Sequence, residues 1–158
     1  AHQWAVRLKR LGYDIDPELL RTAGLLHDIA RLKPDHARAG ARILRMEGYP
    51  VMAGIIQCHH RLEGGEESGL TERPLLFLAD KMTLEDRMVD IDERFRQSAP
   101  KCTTPQAREN HRLQYNQAQA VRHCLESAMG SLEAADAFGT SPQASVDRKA
   151  RIREWAAG

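Results

Sequence analysis

The chain of 158 residues has no apolar run near the roughly 20 residues that a membrane-crossing helix needs. It also lacks the basic end, apolar stretch and small-residue cleavage site of a signal peptide, so a water-soluble protein is expected. Cysteine is scarce. Cys58, Cys102 and Cys124 are odd in number and form no C-x-x-C pair, which argues against a disulfide framework and a zinc ribbon and points to a reducing cytoplasm. Neither sign of charge is in excess: 23 Lys plus Arg against 22 Asp plus Glu leave +1, without the global footprint of a nucleic-acid binder. Any anionic ligand must be attracted locally. No internal repeat is found, and no alternation of apolar and polar residues is long enough for a convincing strand.

What is present reads as helix nearly throughout. With 42% hydrophobic residues, the chain suits one compact domain that buries about two-thirds of its unfolded surface. It opens at Ala1 without Met or a capping sequence, already within the amphipathic pattern of Trp4, Val6, Leu8 and Leu11, as expected for a piece of a longer protein. Asp16, Pro17 and Glu18 read as the cap and first turn of a helix that runs to about Arg31. Asp35 is placed to cap the next helix, with Ala39, Ile43, Leu44 and Met46 as its apolar face and Gly48 closing it. A third helix follows Pro50 and carries Val51, Ile55 and Ile56 toward His59. The acidic, glycine-rich stretch 64–69 is a surface loop, and Thr71 starts a helix through Leu75, Leu76, Phe77, Leu78 and Met82, with Pro74 in its first turn. A long helix over about 106–129 carries Ala118, Val121, Leu125 and Met129. Residues 1–130 thus form one helical domain and 131–158 a tail. Within the tail, 140–142 reads as a linker and 147–156 as a basic helix anchored by Trp155.

Charge interrupts apolar helix in two places: AGLLHDIA, with His27 and Asp28, and LLFLADK, with Asp80. A carboxylate in such surroundings is costly unless paired or bound to metal. The leucines before His27 are expected to pack the core, and Gly24 to leave room for a backbone or ligand. An isolated His-Asp doublet is most often a hydrogen-bonded core pair. The combination with His36, the His59-His60 pair and Asp80 favours a metal site instead. Imidazole and carboxylate ligands suit Fe, Mn, Zn or Ni, as one ion or as two bridged by an Asp.

This pattern resembles the HD superfamily of metal-dependent phosphohydrolases, whose signature is an early His, a His-Asp doublet and a later Asp; His27, Asp28 and Asp80 match the last three. His36 and His59 stand where the two-metal members, such as the diadenosine tetraphosphate hydrolase group, place two further histidines. The stretches PDHARAGARIL, IIQCHHRL, FLADKMTLEDR and DERFR look like the HD domain fused behind a molybdenum-cofactor cytidylyltransferase-like domain. The likeness covers about residues 14–129. It implies an all-α HD-domain bundle with metal held by His27, Asp28, His36, His59 and Asp80, and with Asp28 and Asp80 as the catalytic carboxylates. The family's first His normally lies further before the doublet than His2 does, which places that ligand upstream of Ala1. Alignment of IIQCHH puts His59 in the ligand position and leaves His60 a supporting or substrate-contacting role.

A phosphate beside such a site needs cations, and Arg31, Lys33, Arg61 and Lys81 each lie within a turn or short loop of a proposed ligand. Arg31, Lys81 and Arg61 are the expected substrate contacts, Arg31 foremost because it follows His27 by one helical turn. His111 and His123 have no ligand pattern nearby, and Cys58 reads as a buried filler. The expected activity is hydrolysis of a phosphoester or phosphoanhydride in a nucleotide or small phosphorylated metabolite, with no nucleic acid or membrane as partner. A rival reading is a non-catalytic metal- or nucleotide-binding domain regulating an attached, upstream nucleotidyltransferase. A third, a helical nucleic-acid-binding module, rests only on Arg148, Lys149, Arg151 and Arg153, which a solvated helix face explains better.

Overall fold

Asp16 starts its helix as its side chain dictates, accepting hydrogen bonds from the Glu18 and Leu19 amides at 2.9 and 3.1 Å, with Pro17 in the first turn. The computed structural model describes residues 1–85 and 87–137. Seven α-helices occur among them: α1 His2–Arg10, α2 Pro17–Leu26, α3 His36–Met46, α4 Pro50–Gln57, α5 Glu72–Lys81, α6 Ile91–Ser98 and α7 Pro105–Ala137. The fold is all-α. Its only sheet among the described residues pairs β1, Thr83–Leu84, with β2, Arg87–Met88, antiparallel and in the register Thr83 to Met88 and Leu84 to Arg87. Two residues per strand are too few for periodicity to register. No helix among the described residues is long and apolar enough to cross a membrane.

The same device ends α1 and α3. Gly12 and Gly48 adopt φ of +88° and +86°, which glycine reaches without strain. The amides after them then fold back: Tyr13 donates to the Leu8 carbonyl and Tyr49 to the Leu44 carbonyl, the Schellman closure that satisfies otherwise orphaned carbonyls. The central element is α5. Leu75, Leu76, Phe77 and Leu78 are all buried, because α1, α2, α4 and α7 all pack against α5. Ala118, Val121 and Leu125 of α7 pack against this core, as do Leu20 and Ala23 of α2 and Ile55 and Ile56 of α4.

Several local expectations are corrected. The second helix stops at Leu26, not near Arg31; from there amide bonds run three residues back, Ile29 to Leu26, Arg31 to Asp28 and Lys33 to Ala30, giving a chain of tight turns. Leu25, far from packing the core, is 78% exposed. The buried face of α3 is Ala37, Gly40, Ala41 and Leu44, with Ile43 and Met46 exposed, because small residues let α3 approach α4 closely. A Cβ on Gly40 would lie 3.1 Å from Ile29 Cγ2 and 3.3 Å from Ile56 Cδ1. Asp35 does not cap α3 with its side chain; it takes a left-handed φ of 48°, and its carboxylate faces Arg38. The long helix continues through Gly130 to Ala137, and the stretches 140–142 and 147–156 lie outside the described residues.

Candidate metal centre

The ends of α2 and α4, the start of α3 and the last turn of α5 converge on one cavity of about 820 Å³. The turn after α2 brings His27 and Asp28, α3 opens with His36, the bend after α4 brings His59 and His60, and α5 brings Asp80. Both doublets lie just past a helix end. This matters because consecutive residues within a helix diverge by about 100°, whereas a bend lets both face one point.

Asp28 stands between two groups of ligand atoms. Its Oδ1 is 3.0 Å from His36 Nε2 and 3.8 Å from His59 Nε2, while its Oδ2 is 3.7 Å from His27 Nε2. His27 Nε2 is in turn 3.8 Å from Asp80 Oδ1. His36 Nε2 lies 3.2 Å from His59 Nε2 and 2.7 Å from His60 Nε2. Ligand atoms of His36, His59 and His60 all lie within 4.8 Å of one another.

This donor set fits a divalent metal. A carbonyl oxygen can only accept, so His27 Nδ1, 2.8 Å from the Gly24 carbonyl, and His59 Nδ1, 2.6 Å from the Ile56 carbonyl, must each carry a proton. Each ring is thereby oriented with its Nε2 toward the cluster, as backbone carbonyls orient metal-binding imidazoles elsewhere. A single proton on His36 Nε2 cannot serve Asp28, His59 and His60 together. Ligands about 2.1 Å from a shared cation at 90–109° stand about 3.0–3.4 Å apart, within the spread of contacts here.

The electrostatics agree. Burial pushes His59 below the ordinary imidazole value against the opposing pull of the Ile56 carbonyl and Asp80, and it pushes His60 down to about 4, aided by His59, Lys81 and His36. Both are therefore neutral at pH 7, as ligands must be. Burial alone would raise Asp80. The Lys81 ammonium, 2.7 Å from Asp80 Oδ2, is the main opposing influence, and the carboxyl is held below its usual range.

Each residue expected in the site can be located. His27, Asp28, His36, His59 and Asp80 come together; all of them but the buried His59 line the cavity, as do Arg31 and Lys81; Arg61 is exposed and does not line it. Arg31 donates to Asp28 Oδ2 at 2.9 Å with its side chain 77% exposed. Lys81 is buried, donating to Asp80 and to the His59 carbonyl at 3.3 Å. Cys58 is buried, with its thiol toward the Gly54 carbonyl. His2 pairs with Glu18 at 3.1 Å and does not line the cavity. Sequence reasoning underrated His60. The signal was the doublet itself, which only the end of α4 at Gln57 turns into two inward-facing rings.

Comparison with known proteins places this site in context. The family model described as HD domain matches residues 1–95. An uncharacterized protein of Methanocaldococcus jannaschii is 35% identical over 97 residues, covering 56% of this chain and 55% of that protein. The chain therefore spans about half the length of that relative. No solved structure matches significantly.

Proposed function

The chain belongs to the HD domain family, a superfamily of metal-dependent phosphohydrolases, and from the geometry of its cluster we propose that it hydrolyses a phosphoester or phosphoanhydride of a nucleotide or small phosphorylated metabolite. The observation that carries this reading is the position of Asp28, with one carboxylate oxygen facing His36 and His59 and the other facing His27. His27, Asp80 and Asp28 would hold one ion; His36, His59 and Asp28, joined by His60, a second. Fe, Mn, Zn and Ni all suit such ligands. A bound divalent metal supplies a water whose pKa falls to about 7 and a Lewis acid for a phosphoryl oxygen.

The protein's own groups do the rest. Lys81 holds Asp80 ionised and aimed at the cluster, so Asp80 can orient the attacking water. Arg31 sits at the mouth, where a guanidinium offers parallel donors to phosphate oxygens. The test is hydrolysis of bis(p-nitrophenyl) phosphate and a nucleotide panel with added Mn or Fe. Activity abolished by a chelator and restored by metal is expected, with Asp80→Asn inactive but folded. Metal-loaded protein that hydrolyses nothing in the panel would overturn the reading.

A further inference from the structure

Past the metal cluster, the same cavity reaches a second wall made by β1, α6, the 3-10 turn Ala99–Lys101 and α7. Cations gather on it. Arg94 comes from α6 and Lys101 from the end of the turn, with the Gln114 amide and His111 of α7 beside them. Arg94 is half-buried, and its Nε donates to the Thr83 carbonyl at 3.1 Å, which fixes the guanidinium against β1 and leaves its terminal nitrogens for another partner. Arg31, Arg73, Arg87, Arg112 and Arg122 each pair with a carboxylate, but among the described residues neither Arg94 nor Lys101 does. His111 is braced by Ser98 Oγ at 2.9 Å and by the Phe95 ring, 4.9 Å away edge-on. Among the described residues the carboxylate of this wall is Glu85, one negative charge against two positive ones.

We propose that this wall is a second phosphate subsite, so that the substrate carries two phosphoryl groups. One reacts at the histidine-aspartate cluster, and the other is bound unreacted by Arg94, Lys101 and Gln114. The assignment of the first group rests on the hydrolytic function proposed above. The chemistry favours phosphate at the second position. A guanidinium fork takes two oxygens, and an added ammonium supplies the second positive charge that a phosphoryl dianion matches and a carboxylate does not.

The test is calorimetry on the full, Mn-loaded chain with alkane bisphosphates of increasing spacer length against the matching alkyl monophosphates. The best bisphosphate should bind roughly ten- to a hundredfold tighter than its monophosphate, the gain expected of one charge-assisted contact. In Arg94→Gln/Lys101→Gln that ratio should fall to near one. Lys101→Gln alone, an exposed change that disturbs no recorded contact, should lower it part of the way. A ratio near one in the wild type at every spacer, a ratio retained in the double variant, or an equal gain from a phosphate-carboxylate probe would overturn the proposal. Failure of any monophosphate to bind would contradict the hydrolytic reading. The subsite then stands if bisphosphate shifts the His111 and Gln114 amide resonances in the wild type alone, and falls if it does not.

Discussion

At the scale of the residue, Arg31 separates a structural role from a substrate-binding one. Its side chain, the exposed half of the ion pair with Asp28, is 77% exposed, and pairs with one end in solvent contribute little to stability, about 0–1 kcal/mol. Arg31→Ala should therefore leave fold and metal content intact while weakening phosphate binding by about 1.5–3 kcal/mol, with Arg31→Lys recovering only part of it. Calorimetry with inorganic phosphate on the metal-loaded variants decides the matter; unchanged affinity would return Arg31 to the solvated surface. The ligand identities were readable in the sequence because a carboxylate or imidazole amid AGLLHDIA and LLFLADK needs a partner. The fate of the cations was not readable. Lys81 looks like Arg61 on paper, yet α5 is the central helix, so Lys81 is buried against Asp80 while Arg61 faces solvent.

At the scale of the element, helix ends position the ligands. Asp16 holds two orphan amides of α2, and its own amide donates to Glu72 at 2.7 Å, tying the start of α2 to the start of α5. Asp16→Ala should destabilise the protein by about 1 kcal/mol. Gly48→Ala forces a Cβ onto a left-handed residue and should cost about 1–2 kcal/mol. Urea unfolding measures both, and midpoints equal to wild type would contradict the capping roles. These ends were legible, since Asp-Pro-Glu and a glycine after an apolar stripe each carry a local mechanism. The early end of α2 was not. Nothing in LLHDIARL breaks a helix, yet the chain switches there to tight turns, with Ile29 and Ala30 set beside Gly40. Helix α6 also escaped notice, because its buried side is only Ile91 and Phe95.

At the scale of the whole molecule, the buried imidazoles of His59 and His60 couple the fold to pH. The folded value of His60 is lowered to about 4 from an ordinary 6.5, and His59 is lowered as well, both chiefly by burial. Between those limits the unfolded chain binds more protons than the folded one, so stability falls as pH drops from about 6.5 toward 4. Asp80 acts lower: its folded value lies below the ordinary 3.8, so its contribution is present above that pH and is lost as pH falls through the folded value. Metal-free protein should therefore unfold at lower urea at pH 5 than at pH 7; an equal or higher midpoint at pH 5 would contradict this. The all-α architecture was legible from helical periodicity, but the cavity was not, because its far wall joins Thr83, Arg94, Lys101 and Gln114 from four separate elements.

The convergence of His27, Asp28, His36, His59 and Asp80 is tested most directly by elemental analysis of the wild type beside Asp28→Asn, which preserves shape and removes the charge that faces both groups of histidines. After gel filtration in metal-supplemented buffer, the wild type should retain transition metal at about one to two ions per chain, and Asp28→Asn should have lost most of it. Equal metal in the two proteins, or none in the wild type, would contradict a metal centre built around Asp28.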